Sequence, residues 1–400
     1  MKRMRKMKLS IITLCMIAML LSIPMAAKIT AKADSDSQKI VKVGYIGYKG
    51  FIEKDGSGNY SGYAVEYLNE IAKYTGWKYE YVYGTWEEQL DALKKGKIDI
   101  DRYRVKENEK VNLKKFPTKR DVDIDKEEVK STFFPEVIEQ LKVYQEKLYA
   151  QNTYGLIIVL QAMDAAGKDG TVNHVFANLD PGGVSVASFK QPTTEEKDHD
   201  YMWRINKALP PRGNIGIFNR SHYEDVIVTR VHNLISTGQL PRDLIDRNIW
   251  MERYEQINNW EKYLHQNGFY MVKIFLHVSK EEQQERLIDR IFNQEKNWKF
   301  SMGDIHEREH WDEYRELYEE LLENTSKDKS PWYIVPADNK WFTRYVVALI
   351  TLDVLKKIDP KFPKLSPEEQ KQLERFRDMI KKETDKPLEE IRKEMEKEEK

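Results

Sequence analysis

Gly155-Leu156-Ile157-Ile158-Val159-Leu160-Gln161-Ala162-Met163-Asp164-Ala165-Ala166-Gly167-Lys168-Asp169-Gly170-Thr171 decides the fold. Its first six residues are an unbroken apolar, β-rich run, the pattern of a parallel strand buried on both faces. A loop of small residues with Gly167-Lys168 follows, and then Val172, Val175, Phe176 and Leu179 at helical spacing. Strand, small-residue loop with Gly-Lys, then helix is the context that a phosphate-cradling P-loop requires. N–H groups of the loop and helix start aim at an anion. Lys168 adds a mobile positive charge for phosphate oxygens. The strict pattern GxxxxGK[ST] is not met: Ala162 stands at the first Gly position and Asp169 at the Ser/Thr position. A bare Gly-Lys also fits an ordinary strand–helix turn. The misfits carry chemistry of their own. Carboxylates inside a phosphate loop are repulsive unless a metal screens them, so Asp164, alone or with Asp225, is the expected metal ligand.

A second strand, Asn214 to Phe218, runs into Asn219-Arg220-Ser221-His222-Tyr223-Glu224-Asp225. Open α/β sheets place their chemistry at the carboxyl ends of strands, so Arg220 and Arg230 are candidate phosphate cations. Glu224 and Asp225 are adjacent and need not face the same way. A third feature is the helix expected from Ser279 to Arg290. Glu281 and Glu282 favour its first turn, and Arg286 and Arg290 share a face at four-residue spacing. Lys296 and Lys299 follow. Each of these segments, alone, reads equally as a solvated surface. Beside a phosphate loop, the helix and its basic loop read as a lid over a polyanion.

The whole chain sets bounds. It has 400 residues, enough for two ordinary domains. Lys+Arg and Asp+Glu number 66 each, so no global field draws the chain to nucleic acid or membrane, and an anionic substrate needs a local basic cluster. The one cysteine, Cys15, excludes an intramolecular disulfide, thiol catalysis and cysteine-based metal sites. Lys2, Arg3, Arg5, Lys6 and Lys8 precede an apolar run from Leu9 to Ile23, and Ala31-Lys32-Ala33 has small residues where a signal peptidase reads. A secretory signal peptide over residues 1–33 is expected. A membrane anchor is the alternative, but the run is short for a span of about 20 residues.

Residues 38–100 have a different texture. Ile40 to Tyr45 reads as a strand, Ala64 to Tyr74 as a helix stopped by Gly76, and Lys78 to Tyr83 as a second strand. Trp86 to Lys95 reads as another helix, and Ile98-Asp99-Ile100 begins a third strand. The stretches "VKVGYIGYKGF", "GNYSGYAVEYLNEIAKYTGWKYEYV" and "WEEQLDALKKGKIDI" resemble the start of extracellular solute-binding proteins that capture amino acids. That resemblance implies a two-lobed fold of which only part of one lobe is present, and a cleft missing one jaw cannot enclose a solute. The texture breaks near Asp101, which reads as a join of two unrelated pieces. Residues 102–130 read as a loose, charged arm. Phe134 to Ala150 reads as an amphipathic helix with Phe134, Val137, Leu141, Tyr144, Leu148 and Tyr149 on its packing face.

Beyond the arm, "LQAMDAAGKDGT", "SFKQPTTEEKDHDYMWR", "LPPRGNIGIFNRSHYEDV", "FLHVSKEEQQERLIDRI", "EKNWKFSMGDIHERE" and "PWYIVPADNKWF" resemble the polyphosphate kinase 2 family, block after block in order. The misfits at Asp164 and Asp169 follow that family's own pattern. The resemblance implies a three-layer α/β/α P-loop kinase similar to thymidylate kinase, over residues 102–360; residues 361–400, rich in Glu, Lys and Arg at helical spacing, read as a charged helical tail. It implies Mg²⁺-dependent transfer between inorganic polyphosphate and an adenine nucleotide, or its guanine counterpart. Homo-oligomers, dimers or tetramers, are also implied.

Carried over by motif, Asp164, Lys168, Arg220 and Asp225 are the catalytic set, with Asp164 and Asp225 as metal ligands. Gly167, Asp169, Gly170, Thr171 and Glu224 would bind substrate, joined by Arg230 and by Arg286, Arg290, Lys296 and Lys299 of the lid. The pair Glu224-Asp225 is similar to a subgroup, class III, that accepts both mono- and diphosphates. An ionised acceptor phosphate is already a nucleophile, so no general base is required and His222 is expected to pack or hydrogen-bond. The competing reading is an extracellular amino-acid-binding module with a degenerate kinase domain. Location is contested within the chain itself: a signal peptide exports it, whereas nucleotides are kept inside.

Overall fold

The computed structural model describes residues 40–45, 50–56, 58–83, 98–237 and 240–383, with 387 and 392. The chain divides into two compact units, residues 1–97 and 98–400. The expected signal peptide and the helix expected over 86–95 lie outside the described residues.

In the first unit, β1 (Ile40–Tyr45) is followed by the short strands β2 (Glu53–Lys54) and β3 (Tyr60–Ser61), helix α1 (Tyr63–Thr75) and β4 (Lys78–Tyr83). β1 pairs with β4 in parallel, and β2 with β3 antiparallel. Gly76 stops α1 as expected: its φ of 68° is left-handed, and its N–H donates to Ala72 O at 2.8 Å. The described core here is small, with Tyr45, Ile52 and Val65 buried against Val43, Tyr60 and Tyr81.

The strand expected at Ile98–Ile100 does not form. Residues Ile100–Tyr103 make a single 3₁₀ turn, because the Asp99 side chain accepts from Asp101 N–H at 3.1 Å and offers the backbone a local alternative to a ladder. Ile98, Ile100 and Tyr103 pack into the core of the second unit.

That unit is a five-stranded, all-parallel sheet. In chain order its main elements are α2 (Phe134–Gln151), β5 (Gly155–Gln161), α3 (Lys168–Phe176), β6 (Val184–Ser188), α4 (Trp203–Lys207), β7 (Ile215–Asn219), α5 (Glu224–Val231), α6 (Ile249–Gln266) and β8 (Phe269–His277). Then come α7 (Lys280–Phe292), α8 (Met302–Glu309), α9 (Trp311–Thr325), β9 (Trp332–Pro336), α10 (Lys340–Ile358) and α11 (Pro367–Glu383). The strand order is β6-β7-β5-β8-β9. The chain moves out to one side of β5 and then to the other, so β5 lies at the topological switch point, where open α/β sheets bind ligands. Every residue of β5 is buried. One core cluster joins α2, α3 and α10 to one face of the sheet; the other joins α5, α6 and α9 to the opposite face. This is the expected α/β/α layering.

Two further expectations needed correction. The arm over residues 102–130 is not loose: it buries Tyr103, Val105, Val111, Leu113 and Ile124. Its backbone is tied down, with Val105 N–H donating to Trp332 O at 2.9 Å and Leu113 N–H to Glu319 Oε1 at 2.8 Å. Single anchors set at wide intervals have no period to read. On α2, Tyr149 is exposed rather than packed, whereas Val137, Ile138, Leu141 and Leu148 are buried. Of the tail, α11 is a helix exposed from Pro367 to Lys381.

Candidate active site

The carboxyl ends of β5 and β7 lie side by side, with Leu160 opposite Asn219. The loop after β5 turns through Ala165 (φ 59°) and Gly167 (φ 105°) into α3, and β7 ends at Arg220 (φ 63°). Among the described residues, six non-glycine residues have left-handed backbone. Four are Asn or Asp, which tolerate it. The other two, Ala165 and Arg220, lie in the loop after β5 and at the end of β7, next to the paired Asp164 and Arg220 side chains. Such strain costs about 1–3 kcal/mol each and gathers where function demands a fixed geometry.

Arg220 Nη2 donates to Asp164 Oδ1 at 2.9 Å, and Nη1 lies 3.6 Å from Glu224 Oε2. Lys168 folds back over its own loop and donates to Ala162 O at 2.9 Å. Burial, then the Arg220 charge, pull its ammonium below the usual lysine value, opposed by Asp164, Glu224 and Asp169. Asp169 accepts from Asn219 Nδ2 at 2.7 Å and so ties α3 to the end of β7. The Thr171 hydroxyl donates to Gly167 O at 3.0 Å. Burial raises the Glu224 carboxyl above its ordinary value, with Asp164 adding and Arg220 and Lys168 opposing.

A cavity of about 400 Å³ opens here. One wall is Met163, Asp164, Arg220 and Glu224. The other comes from α8 and α9, with Asp304, Glu307, Trp311, Tyr314 and Tyr318. The α8 and α9 residues carry no role in the sequence reading. Asp304 and Glu307 stand inside the block "SMGDIHERE", but charged helix positions two turns from an aromatic pair look like solvated surface until the lid folds over. Burial and the Asp164 charge raise the Asp304 carboxyl.

The structure separates several residues that the sequence grouped. Asp225 is not beside Asp164; its carboxylate accepts from Arg204 Nη2 at 3.3 Å, and its carbonyl from Arg253 Nη1 at 3.4 Å. Adjacent residues at a helix start point about 100° apart, so Glu224 takes the cavity and Asp225 turns to α4 and α6. Arg230 donates to Glu320 Oε1 at 2.8 Å on α9 and does not line the cavity. Arg286 is buried and fully used: it donates to the carbonyls of Ala165 (3.0 Å), Ala166 (2.6 Å), Ala337 (2.6 Å) and Asp338 (3.2 Å), and to Glu282 (2.8 Å). It clamps the phosphate loop to the end of β9. Arg290 is paired with Asp304, Lys296 with Asp289 at 2.5 Å, and Lys299 lies over the Trp298 ring at 5.0 Å. His222 is buried, with no hydrogen-bond partner at either ring nitrogen, and burial lowers its pKa to about 3. It is a packing residue, as expected.

Among the described residues, no three His, Cys, Asp or Glu side chains converge to hold a metal. Asp164, Glu224 and Asp304 do share the cavity, and two of them are carboxyls that burial destabilises in the charged form. That donor set suits a hard cation such as Mg²⁺, which takes one or two carboxylates and completes its shell with water and phosphate oxygens.

Residues 123–363 match the family described as polyphosphate kinase 2, and residues 41–111 match the bacterial extracellular solute-binding proteins, family 3. The last part of the second match, from Ile98, belongs to the second compact unit. The chain is 42% identical over 286 residues to an ADP-polyphosphate phosphotransferase of Rhodopseudomonas palustris, covering 71% of this chain and 99% of that protein. It is 43% identical over 224 residues to an AMP/ADP-polyphosphate phosphotransferase of Meiothermus ruber, covering 56% of this chain and 80% of that protein. Among solved structures, polyphosphate kinase 2 from Arthrobacter aurescens superposes with a TM-score of 0.62 at 37% identity, over 68% of this chain and 95% of that one.

Proposed function

The chain belongs to the polyphosphate kinase 2 family, and on that premise we propose that it is a polyphosphate:nucleotide phosphotransferase that phosphorylates both AMP and ADP. The observation that carries the reading is the pairing of Arg220 with Asp164 over a P-loop whose lysine is held within the same cluster. The names of the two relatives, one an ADP and one an AMP/ADP phosphotransferase, support the nucleotide range. Adenine nucleotides are the proposed acceptors, with guanine nucleotides as a second class.

The reaction follows from charge. A terminal phosphate oxygen of the acceptor attacks the terminal phosphorus of the polyphosphate in line. The new P–O bond forms as the bridging P–O bond breaks, and the shortened chain leaves with the electron pair. The acceptor oxygen is already ionised, so no residue has to remove a proton. Positioning and charge stabilisation are the protein's share. Lys168 swings from the carbonyl of Ala162 to a phosphate oxygen, and Arg220 exchanges the Asp164 carboxylate for the transferring group. The lid arginine Arg290 does the same with Asp304. When bound, Mg²⁺ supplies the charge that offsets phosphate against carboxylate. Asp164 would hold it, with Glu224 and Asp304 facing the same cavity, and Asp225 would join only by leaving Arg204.

Chromatography of the full chain incubated with polyphosphate, Mg²⁺ and AMP tests the reading. ADP should appear first and ATP after it, and formation of neither would reject the proposed acceptor range. Residues 1–33 are proposed as a cleaved export signal, which N-terminal sequencing of the mature protein tests: Asp34 should be the first residue.

A further inference from the structure

Lys273 stands in the middle of β8, within the buried run from Met271 to Leu276, and is itself 0% exposed. Lysine is almost never fully buried unless it is paired. Here all three ammonium protons have an acceptor. Nζ donates to Glu261 Oε2 on α6 at 2.5 Å, to Thr325 O at the end of α9 at 2.6 Å and to Tyr223 OH at 3.2 Å. Glu261 is buried as well, and its Oε1 accepts from Tyr223 OH at 2.7 Å. His222 Nε2 lies 4.0 Å from that oxygen, beyond hydrogen-bond reach.

Neither charge reaches the cavity, so neither can touch a phosphate. As a device for stability the pair is a poor one. Burial works against the ammonium, with Glu261 opposing. Apolar side chains of similar volume often stabilise a core as well as a buried ion pair does, or better. What both members of the pair hold is the Tyr223 hydroxyl, and Tyr223 precedes Glu224 of the cavity wall.

The Arg220–Glu224 turn is pinned by buried side chains at two points. Gln161 Nε2, at the end of β5, donates to Ser221 Oγ at 3.1 Å. Tyr223 is held by Glu261 and Lys273, and its N–H donates to Ser221 Oγ at 3.3 Å. The turn needs such anchors, because Arg220 has left-handed backbone with φ 63°. A strained residue keeps its conformation only where its surroundings over-determine it. Arg220 and Glu224 both direct their side chains to the cavity from this turn.

We propose that Glu261 and Lys273 are positioning residues for phosphoryl transfer: through the Tyr223 hydroxyl they hold the turn that aims Arg220 and Glu224 into the cavity. The inference rests on the phosphotransferase reading and extends that site to a buried network behind it.

The test uses the full chain and three variants, each assayed where it is fully folded. Tyr223→Phe removes the shared hydroxyl and leaves Glu261 and Lys273 paired. Its urea midpoint should stay close to wild type. Its kcat should fall about tenfold with the KM for polyphosphate unchanged, because the loss is in the aim of Arg220 at the transferring group. Glu261→Gln keeps an acceptor for the hydroxyl and leaves the Lys273 charge without its carboxylate, so the midpoint should drop while kcat stays near wild type. Tyr223→Phe/Glu261→Leu/Lys273→Met makes the network apolar. It should recover the midpoint lost in Glu261→Gln and keep the low kcat.

Hydrogen exchange supplies a readout besides activity. The amides of residues 220–225 should exchange about tenfold faster in Tyr223→Phe, with those of β8 unchanged. Wild-type kcat in Tyr223→Phe, or wild-type exchange at residues 220–225, overturns the proposal. So does a kcat that simply follows the midpoint across the three variants. Failure of the parent reading looks different: the wild-type chain makes no ATP from polyphosphate, and the exchange rates still decide whether the network holds the turn.

Discussion

Arg220 Nη2 donates to Asp164 Oδ1 at 2.9 Å, from a residue whose own backbone is left-handed. The contact joins the ends of two neighbouring parallel strands and, among the described residues, sets the one cation of the cavity wall against the carboxylate proposed as the metal ligand. In the proposed mechanism, phosphate takes Arg220 and the metal takes Asp164.

Asp164→Asn keeps a hydrogen-bond acceptor for Arg220 but removes the charge, and Lys168→Ala removes the mobile cation. Each should lower kcat by about a hundredfold or more, the usual cost of losing a group aimed at developing charge. Thermal unfolding should stay close to wild type, since neither side chain is a core anchor. Near-normal turnover in either folded variant would remove the mechanism.

Arg286 and Arg290 lie one turn apart and should behave differently. Arg286 donates to four carbonyls of the phosphate loop and the β9 end, so Arg286→Ala should destabilise the protein by about 3 kcal/mol as well as silence it. Arg290→Ala should leave the unfolding midpoint in place and raise the KM for polyphosphate. Denaturant titrations beside donor kinetics separate the two.

His222 sets a pH dependence of stability. Its folded pKa is about 3, against roughly 6.5 for an unfolded imidazole. Between those values the unfolded chain binds a proton that the folded one does not, so stability falls as pH falls below about 6.5. His222→Phe has no hydrogen bond to lose and should flatten the change in urea midpoint between pH 7.5 and pH 5. It should also retain kcat, because no proton transfer is asked of His222.

How much of this was legible beforehand depends on the kind of signal. β5, β7 and α7 were readable because an apolar run or a helical period marks them over several residues. The strand at Ile98–Ile100 was misread because two isoleucines cannot outweigh an Asp99 side chain that caps a turn. The arm hid its anchors: Tyr103, Val105 and Leu113 are buried one at a time against distant β9 and α9. In the site, residue identity marked Asp164, Lys168 and Arg220. Direction was not legible, so Asp225 was assigned to the metal and Arg286 to phosphate, whereas they face Arg204 and the loop carbonyls. Asp304 and Tyr318 needed the third dimension, because only the folded lid brings them to the loop.

The same arm gives a truncation test. Tyr103 is buried and donates to Asp121 Oδ1 at 2.6 Å. A chain beginning at Ile98 should unfold at the same denaturant midpoint as the second unit of the full chain. One beginning at Lys106 loses Tyr103 and Val105 and should be less stable by about 3–5 kcal/mol.

The most direct measurement of the central claim is phosphorus NMR of the full chain with polyphosphate, Mg²⁺ and ADP. Loss of bridging-phosphate signal matched one for one by new γ-phosphate of ATP, and abolished by Lys168→Ala, is the predicted result. A folded wild-type protein that leaves both the polyphosphate and the ADP resonances unchanged would contradict it.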